Sequence, residues 1–217
     1  MKLAIVALVA LITAGLASAA SPREPKKVIL PAVQAKAKAI NVQASDLPKA
    51  LGFKAKPGSP DTGTPRCSYY NPDQSDLTEN GDAKSPEFTL PSASFISSSA
   101  SIFKTAGQGR TAYTRVVQPK LPLCLAEIFR KGAAPTKVTI VSAKEISFPK
   151  LAERSNAYRI QASFKPGSQR IPVYLDIVVM NRGKVDVVIF FAGIGNFFNS
   201  GFEHQIAAAV AARTKNA

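Results

Sequence analysis

The stretch from Tyr158 to Ala192 leaves the chain little freedom. Tyr158, Ile160, Ala162 and Phe164 alternate with polar residues, the period of a half-buried strand. Lys165-Pro166-Gly167-Ser168 reads as a turn, Ile171 to Met180 as a second strand, and Asn181-Arg182-Gly183 as another turn. Lys184 to Ala192 is nearly all apolar and is expected to be a central strand. Turns this short join only antiparallel neighbours. Lys137 to Phe148, with Val138, Ile140 and Ala143, adds a strand ahead of them. A helix closes the chain. Ser200 and Glu203 have the S-x-x-E spacing of a capping box, and Phe202, Ile206 and Val210 fall on one helical face. That face needs an apolar partner, and the sheet supplies it. The expectation is an α+β fold with an antiparallel sheet and helices packed on one face.

Upstream the signals are weaker. Residues 20–43 mix Ala, Pro, Lys and Gln with little period and read as a flexible leader, which leaves residues 44–217 as one α+β domain. Asp46 and Gly52 bracket a short capped turn of helix. Lys56 to Pro72, rich in Pro and Gly, reads as loop, and Asp73 to Glu87 as a polar stretch. Phe88 to Phe103 reads as strand. Gly107 to Val117 carries Ala112, Tyr113, Val116 and Val117 at helical spacing, and Leu123 to Phe129 continues as a short helix before Gly132 and Pro135.

The first residues set the expected compartment. Met1-Lys2, an apolar or small-residue run from Leu3 to Leu16 and Ala17-Ser18-Ala19 have the order of a secretory signal peptide, residues 1–19. The run is short of the ~20 apolar residues a membrane-spanning helix needs, so no transmembrane segment is expected in the mature chain. An exported chain is expected to pair Cys67 with Cys124. The net charge of +14 would suggest nucleic acid inside a cell. Outside one, the matching partners are an anionic envelope polymer or lipid. The basic residues, among them Arg110, Arg115, Arg154, Arg159 and Arg182, are scattered and not interleaved with aromatics, so no nucleic acid is expected.

Catalytic constellations are sparse. His204, the one histidine, lies in the last helix beside Glu203, and no Gly-x-Ser-x-Gly elbow occurs. One histidine and two bridged cysteines do not make a zinc site, and no metal or cofactor is expected. Gly193-Ile194-Gly195 lacks the third glycine and the second strand of a dinucleotide fold. Asp73, Asp76, Glu79 and Asp82 read as a solvated acidic loop rather than a calcium loop. Ile189 to Phe198 holds four phenylalanines in ten residues. Phe190, Phe191, Phe197 and Phe198 are read first as core and second as the lining of a candidate apolar pocket.

Several residues together carry a resemblance. They are Asp46-Leu47-Pro48, Cys67, Asp73-x-Ser-Asp-Leu77-Thr78 with Gly81, and Phe88 ahead of Ser97-Ser98-Ser99-Ala100-x-x-Phe103. Cys124-Leu125, Pro172 to Val179, Arg182-Gly183 and Arg213 complete the set. Over residues 44–213 the chain resembles a group of uncharacterised secreted proteins of high-GC Gram-positive bacteria. It is more loosely similar to extracytoplasmic sensor domains of mycobacterial Ser/Thr kinases and to PsbP-like lipoproteins. The resemblance implies a curved antiparallel sheet with flanking helices and a cleft, and brings no catalytic residues. The functional expectation is a secreted, non-enzymatic binding module of the cell envelope. The alternative is a hydrolase of envelope polymers or lipids whose best carboxylates are Asp176, Asp186 and Glu145.

Overall fold

The computed structural model describes residues 23–58, 63–92, 94–133, 137–165 and 169–217. Residues 1–19, expected to be a signal peptide, and most of the 165–168 turn lie outside them. Among the described residues nine strands form one open, curved sheet. They are β1 (Lys26–Lys27), β2 (Lys54–Lys56), β3 (Thr78–Lys84), β4 (Glu87–Thr89), β5 (Phe95–Phe103), β6 (Val138–Ile146), β7 (Arg154–Phe164), β8 (Ile171–Arg182) and β9 (Val185–Ile194). The spatial order is β1-β3-β5-β9-β8-β7-β6, with β4 pairing β5 and β2 pairing β4. Pairing is antiparallel except between β1 and β3. The β6–β9 meander is the one the C-terminal alternation predicts. Upstream, the expected single strand from Phe88 to Phe103 divides into β4 and β5, and β3 forms inside the polar stretch.

Four α-helices occur among the described residues: α1 (Pro31–Ile40), α2 (Ala106–Val116), α3 (Leu121–Gly132) and α4 (Ser200–Arg213). They divide between the two faces of the sheet rather than sharing one. The reason lies in β8, whose residues Ile177-Val178-Val179-Met180 are apolar without alternation and all buried. Val178 and Met180 join Ile96, Ala100, Val187 and Ile189 under α1 and α4. Ile177 and Val179 join Tyr158 and Ile160 under α2 and α3. A strand apolar on both sides requires cover on both sides.

Helix α1 falls within the stretch expected to be a leader. Ala and Lys dominate it, but Ala37 and Ile40 are buried in the core. Its end is sewn to the sheet by Asn41, which donates to the carbonyls of Ala37 and Ala83 and accepts from the Ser98 hydroxyl, all at 2.8–2.9 Å. Arg213, at the end of α4, donates to the carbonyls of Ile40 and Asn41 and grips the Asp46 carboxylate at 2.7 and 2.9 Å. The start of α4 differs from the expected capping box. Asn199 is the cap, its side chain accepting from the Gly201 amide at 2.8 Å. Glu203 instead turns inward and is 2% exposed.

Cys67 and Cys124 form a disulfide with Cα atoms 5.7 Å apart, tying the loop ahead of β3 to α3. Cys124 is itself fully buried in the α2–α3 core. With the cysteines at a sequence separation of 57, replacing both by serine removes about 4 kcal/mol of stability by the chain-entropy relation. Urea denaturation of the double variant against the oxidised protein measures it. Gly109 of α2 sits against the β8–β9 turn, where an added Cβ would lie 2.6 Å from the Gly183 carbonyl oxygen. Gly109→Ala gains about 1 kcal/mol in helix propensity, yet the clash is with backbone and costs about 1–3 kcal/mol. Net destabilisation is therefore expected in the same assay.

Candidate functional site

Helix α2 carries the outer wall of an arginine-lined concavity. Thr105 caps it, accepting from the Gln108 amide at 3.2 Å. Ala112 and Tyr113 face the sheet, and the Tyr113 hydroxyl donates to Asn156 of β7 at 2.5 Å. The opposite side of the helix therefore faces water. It presents Gly107, Arg110, Thr111, Thr114 and Arg115, and with Arg154 of β7 these line an open cleft of about 520 Å³. Beyond Arg115 a second shallow cleft of about 420 Å³ runs on between Pro72, Asp73, Ser75, Asp76 and Gln118.

The three arginines are held differently. Arg115 makes a two-pronged ion pair with Asp76 and donates to the Asp73 carbonyl at 2.7 Å, which anchors the loop before β3 to the helix. The Arg115 hydrogen bond draws the Asp76 carboxyl below its ordinary pKa. Arg154 donates to the Asn181 side-chain oxygen at 3.2 Å. Arg110 is exposed, with no side-chain partner among the described residues. Donors outnumber acceptors across this wall. Guanidinium groups so placed recognise phosphate or carboxylate oxygens.

Below the cleft, cross-strand register sets Arg154, Asn181, Asp186 and Ser101 in one row across β7, β8, β9 and β5. Asn181 donates to Asp186 Oδ1 at 2.6 Å. Asp186 is packed among protein groups, and burial pushes its pKa up to about 8, with Glu79 adding to the shift and Asn181 and Arg154 opposing it.

The other face holds a second polar centre. Asp176 of β8 is 1% exposed and takes a two-pronged ion pair from Arg159, its register partner on β7. Glu203 reaches the same place from α4, and its Oε1 has no hydrogen-bond partner among the described residues. Two carboxyls share one guanidinium there. Burial, then the Asp176 charge and its hydrogen bond, push the Glu203 pKa well above the carboxylate range. That shift favours the protonated carboxyl, hydrogen-bonded to Asp176.

The four phenylalanines spread around this centre. Phe191 is buried opposite Asp176, and its ring meets Phe198 edge-on at 6.1 Å. Phe198 stacks on Phe202 of α4 at 5.6 Å. Phe197 is 52% exposed, meets Tyr174 edge-on at 5.4 Å, and lies 4.8 Å under the Arg159 guanidinium carbon. Phe190 neighbours Phe191 in the strand and so faces the opposite core, under α2 and α3. Phe191 and Phe198 touch on the α4 side, Phe197 sits apart against Tyr174 and Arg159, and Phe190 lies on the other face. The same alternation separates the carboxylates. Asp176 faces α4, whereas Asp186 and Glu145 face α2, Glu145 accepting from Asn156 at 2.6 Å. His204 packs edge-on against Phe148 at 4.8 Å. The acidic run divides into two groups: Asp76 and the Asp73 carbonyl hold Arg115, while Asp82 and the buried Glu79 pair with Lys27.

The resemblance implies a cleft but names none of the residues that line it. In the sequence Arg110, Arg115 and Arg154 register only as scattered charge, because strand pairing brings Arg154 to α2. Asp176 gave a signal: a carboxylate inside an apolar strand, at an inward position.

Glu203 yields a prediction about pH. A carboxyl whose folded pKa is raised stabilises fully below its unfolded value, about 4.3, and loses that contribution as pH climbs through the folded value. The protein should therefore lose stability from about pH 5 to about pH 9. Glu203→Gln keeps the hydrogen bond to Asp176 without the proton. It should flatten that slope and exceed the parent by about 1 kcal/mol or more at the alkaline end. Thermal melts across pH measure both; a variant slope equal to the parent's would contradict the shared proton.

No family model matches the chain, and no curated protein does. Among solved structures, the extracellular domain of PknH from Mycobacterium tuberculosis aligns with a TM-score of 0.35 and 12% identity. The alignment covers 61% of this chain and 63% of that one, under two thirds of its length. The chain is thus weakly similar in structure to an extracellular domain of a mycobacterial kinase.

Proposed function

We propose that this protein is a non-enzymatic, extracytoplasmic binding module that takes a phosphate- or carboxylate-bearing envelope component in the α2 cleft. One observation carries the reading: Arg110, Arg115 and Arg154 converge on a single concavity. Arg115 and Arg154 are already oriented by Asp76 and Asn181, so little side-chain freedom is lost on binding. The +14 net charge adds long-range attraction to an anionic surface. The disulfide suits an oxidising compartment outside the cytoplasm. Among the described residues no helix is long and apolar enough to cross a membrane. The alternative of carboxylate hydrolysis gains nothing from the geometry, since its best candidates divide between the faces of the sheet.

The test compares two sources of the same chemistry: vesicles with and without phosphatidylglycerol, and a short soluble glycerol phosphate oligomer. Arg110→Ala with Arg154→Ala should weaken binding to the preferred source about tenfold or more. Lys36→Ala with Lys38→Ala, which removes the same charge from exposed positions on α1, should change it far less. Equal losses in the two double variants would mean a diffuse cationic surface and would overturn the cleft.

A further inference from the structure

Arg154 is coupled to the interior through a single amide. Its Nη1 donates to Asn181 Oδ1 at 3.2 Å, and Asn181 is fully buried. The Asn181 Nδ2 donates to Asp186 Oδ1 at 2.6 Å and to the carbonyls of Gly183 and Val185 at 3.2 Å. Those three acceptors fix which end of the amide faces Arg154. The cleft arginine and the half-buried acid therefore sit at opposite ends of a rigid relay. The charged and titratable groups around Asp186 come from three further elements: Glu79 of β3, Arg154 of β7 and Tyr113 of α2.

Resting on the reading that the cleft binds anions, we propose that Asn181 and Asp186 are positioning residues for Arg154. The proton on Asp186 then sets how much of the Arg154 charge the cleft offers to a ligand. With Asp186 protonated, the relay is neutral and Arg154 presents its full charge. When the carboxyl releases its proton to solvent, the new carboxylate offsets part of that charge and draws the guanidinium toward the sheet. Burial and Glu79 place this change near pH 8. Anion affinity should fall as pH rises through that value. Two unit charges a side-chain length apart in a partly wet site couple by about three- to tenfold.

The probe is the glycerol phosphate oligomer, whose phosphodiesters keep a fixed charge over this range. Its affinity for the protein is measured by calorimetry from about pH 6.5 to about pH 9.5, spanning the expected change. The parent should lose about three- to tenfold across the range. Asp186→Asn should hold the low-pH affinity throughout, a response that lost packing alone would not produce. A second readout needs no variant. By linkage, saturating oligomer should raise the Asp186 midpoint, followed by carboxyl carbon NMR in the parent protein, by about 0.5–1 pH unit. Oligomer binding that depends on Arg154, with a flat pH profile and an unmoved Asp186 midpoint, would overturn the relay and leave the cleft standing. Absence of binding at every pH would remove the cleft, and the relay with it.

Discussion

The central hairpin of β8 and β9 is covered on both faces, and this constraint shapes the rest of the structure. Its apolar residues supply two cores at once, one under α1 and α4, the other under α2 and α3. Any polar side chain in such strands loses water and must find a partner within the protein. Asp176 and Asp186 are the two acids placed there. Each is answered by an arginine from β7, Arg159 directly and Arg154 through Asn181. The costs differ. A buried pair with matched forks contributes little net stability, whereas an unpaired buried charge would cost several kcal/mol.

The two polar centres differ in what they leave available. Around Asp176 the hydrogen bonds turn inward: Arg159 is committed to the carboxylate and covered by Phe197, and Glu203 closes the third side from α4. That centre fixes the last helix on the sheet. Around Asp186 the acid stands in the polar row beside Asn181, and Arg110, Arg115 and Arg154 line the α2 cleft. The proposed anion site is that basic concavity, with the Asn181–Asp186 pair behind it.

The meander was legible because alternation and short turns are local, and β6 to β9 follow from residues in sequence order. The start of α4 was half legible. The S-x-x-E spacing located the helix, but Asn199 caps it, and Glu203 is drawn inward by Asp176 from a strand the spacing knows nothing of. Helix α1 was hidden by its composition: Ala and Lys look like a leader until Ala37 and Ile40 find a sheet to pack on. Helices on both faces could have been read from the unbroken apolar run in β8. The lining of the cleft could not, since it joins side chains from α2 and β7 that only the fold makes neighbours.

The claim that three guanidiniums form one anion site is tested most directly by arginine side-chain NMR. Glycerol phosphate oligomer is titrated into the protein while the Nε–Hε resonances are followed. The expected result is saturable shifts confined to Arg110, Arg115 and Arg154, with Arg159, Arg182 and Arg213 still. Small, unsaturated shifts spread over arginines on both faces of the sheet would contradict it.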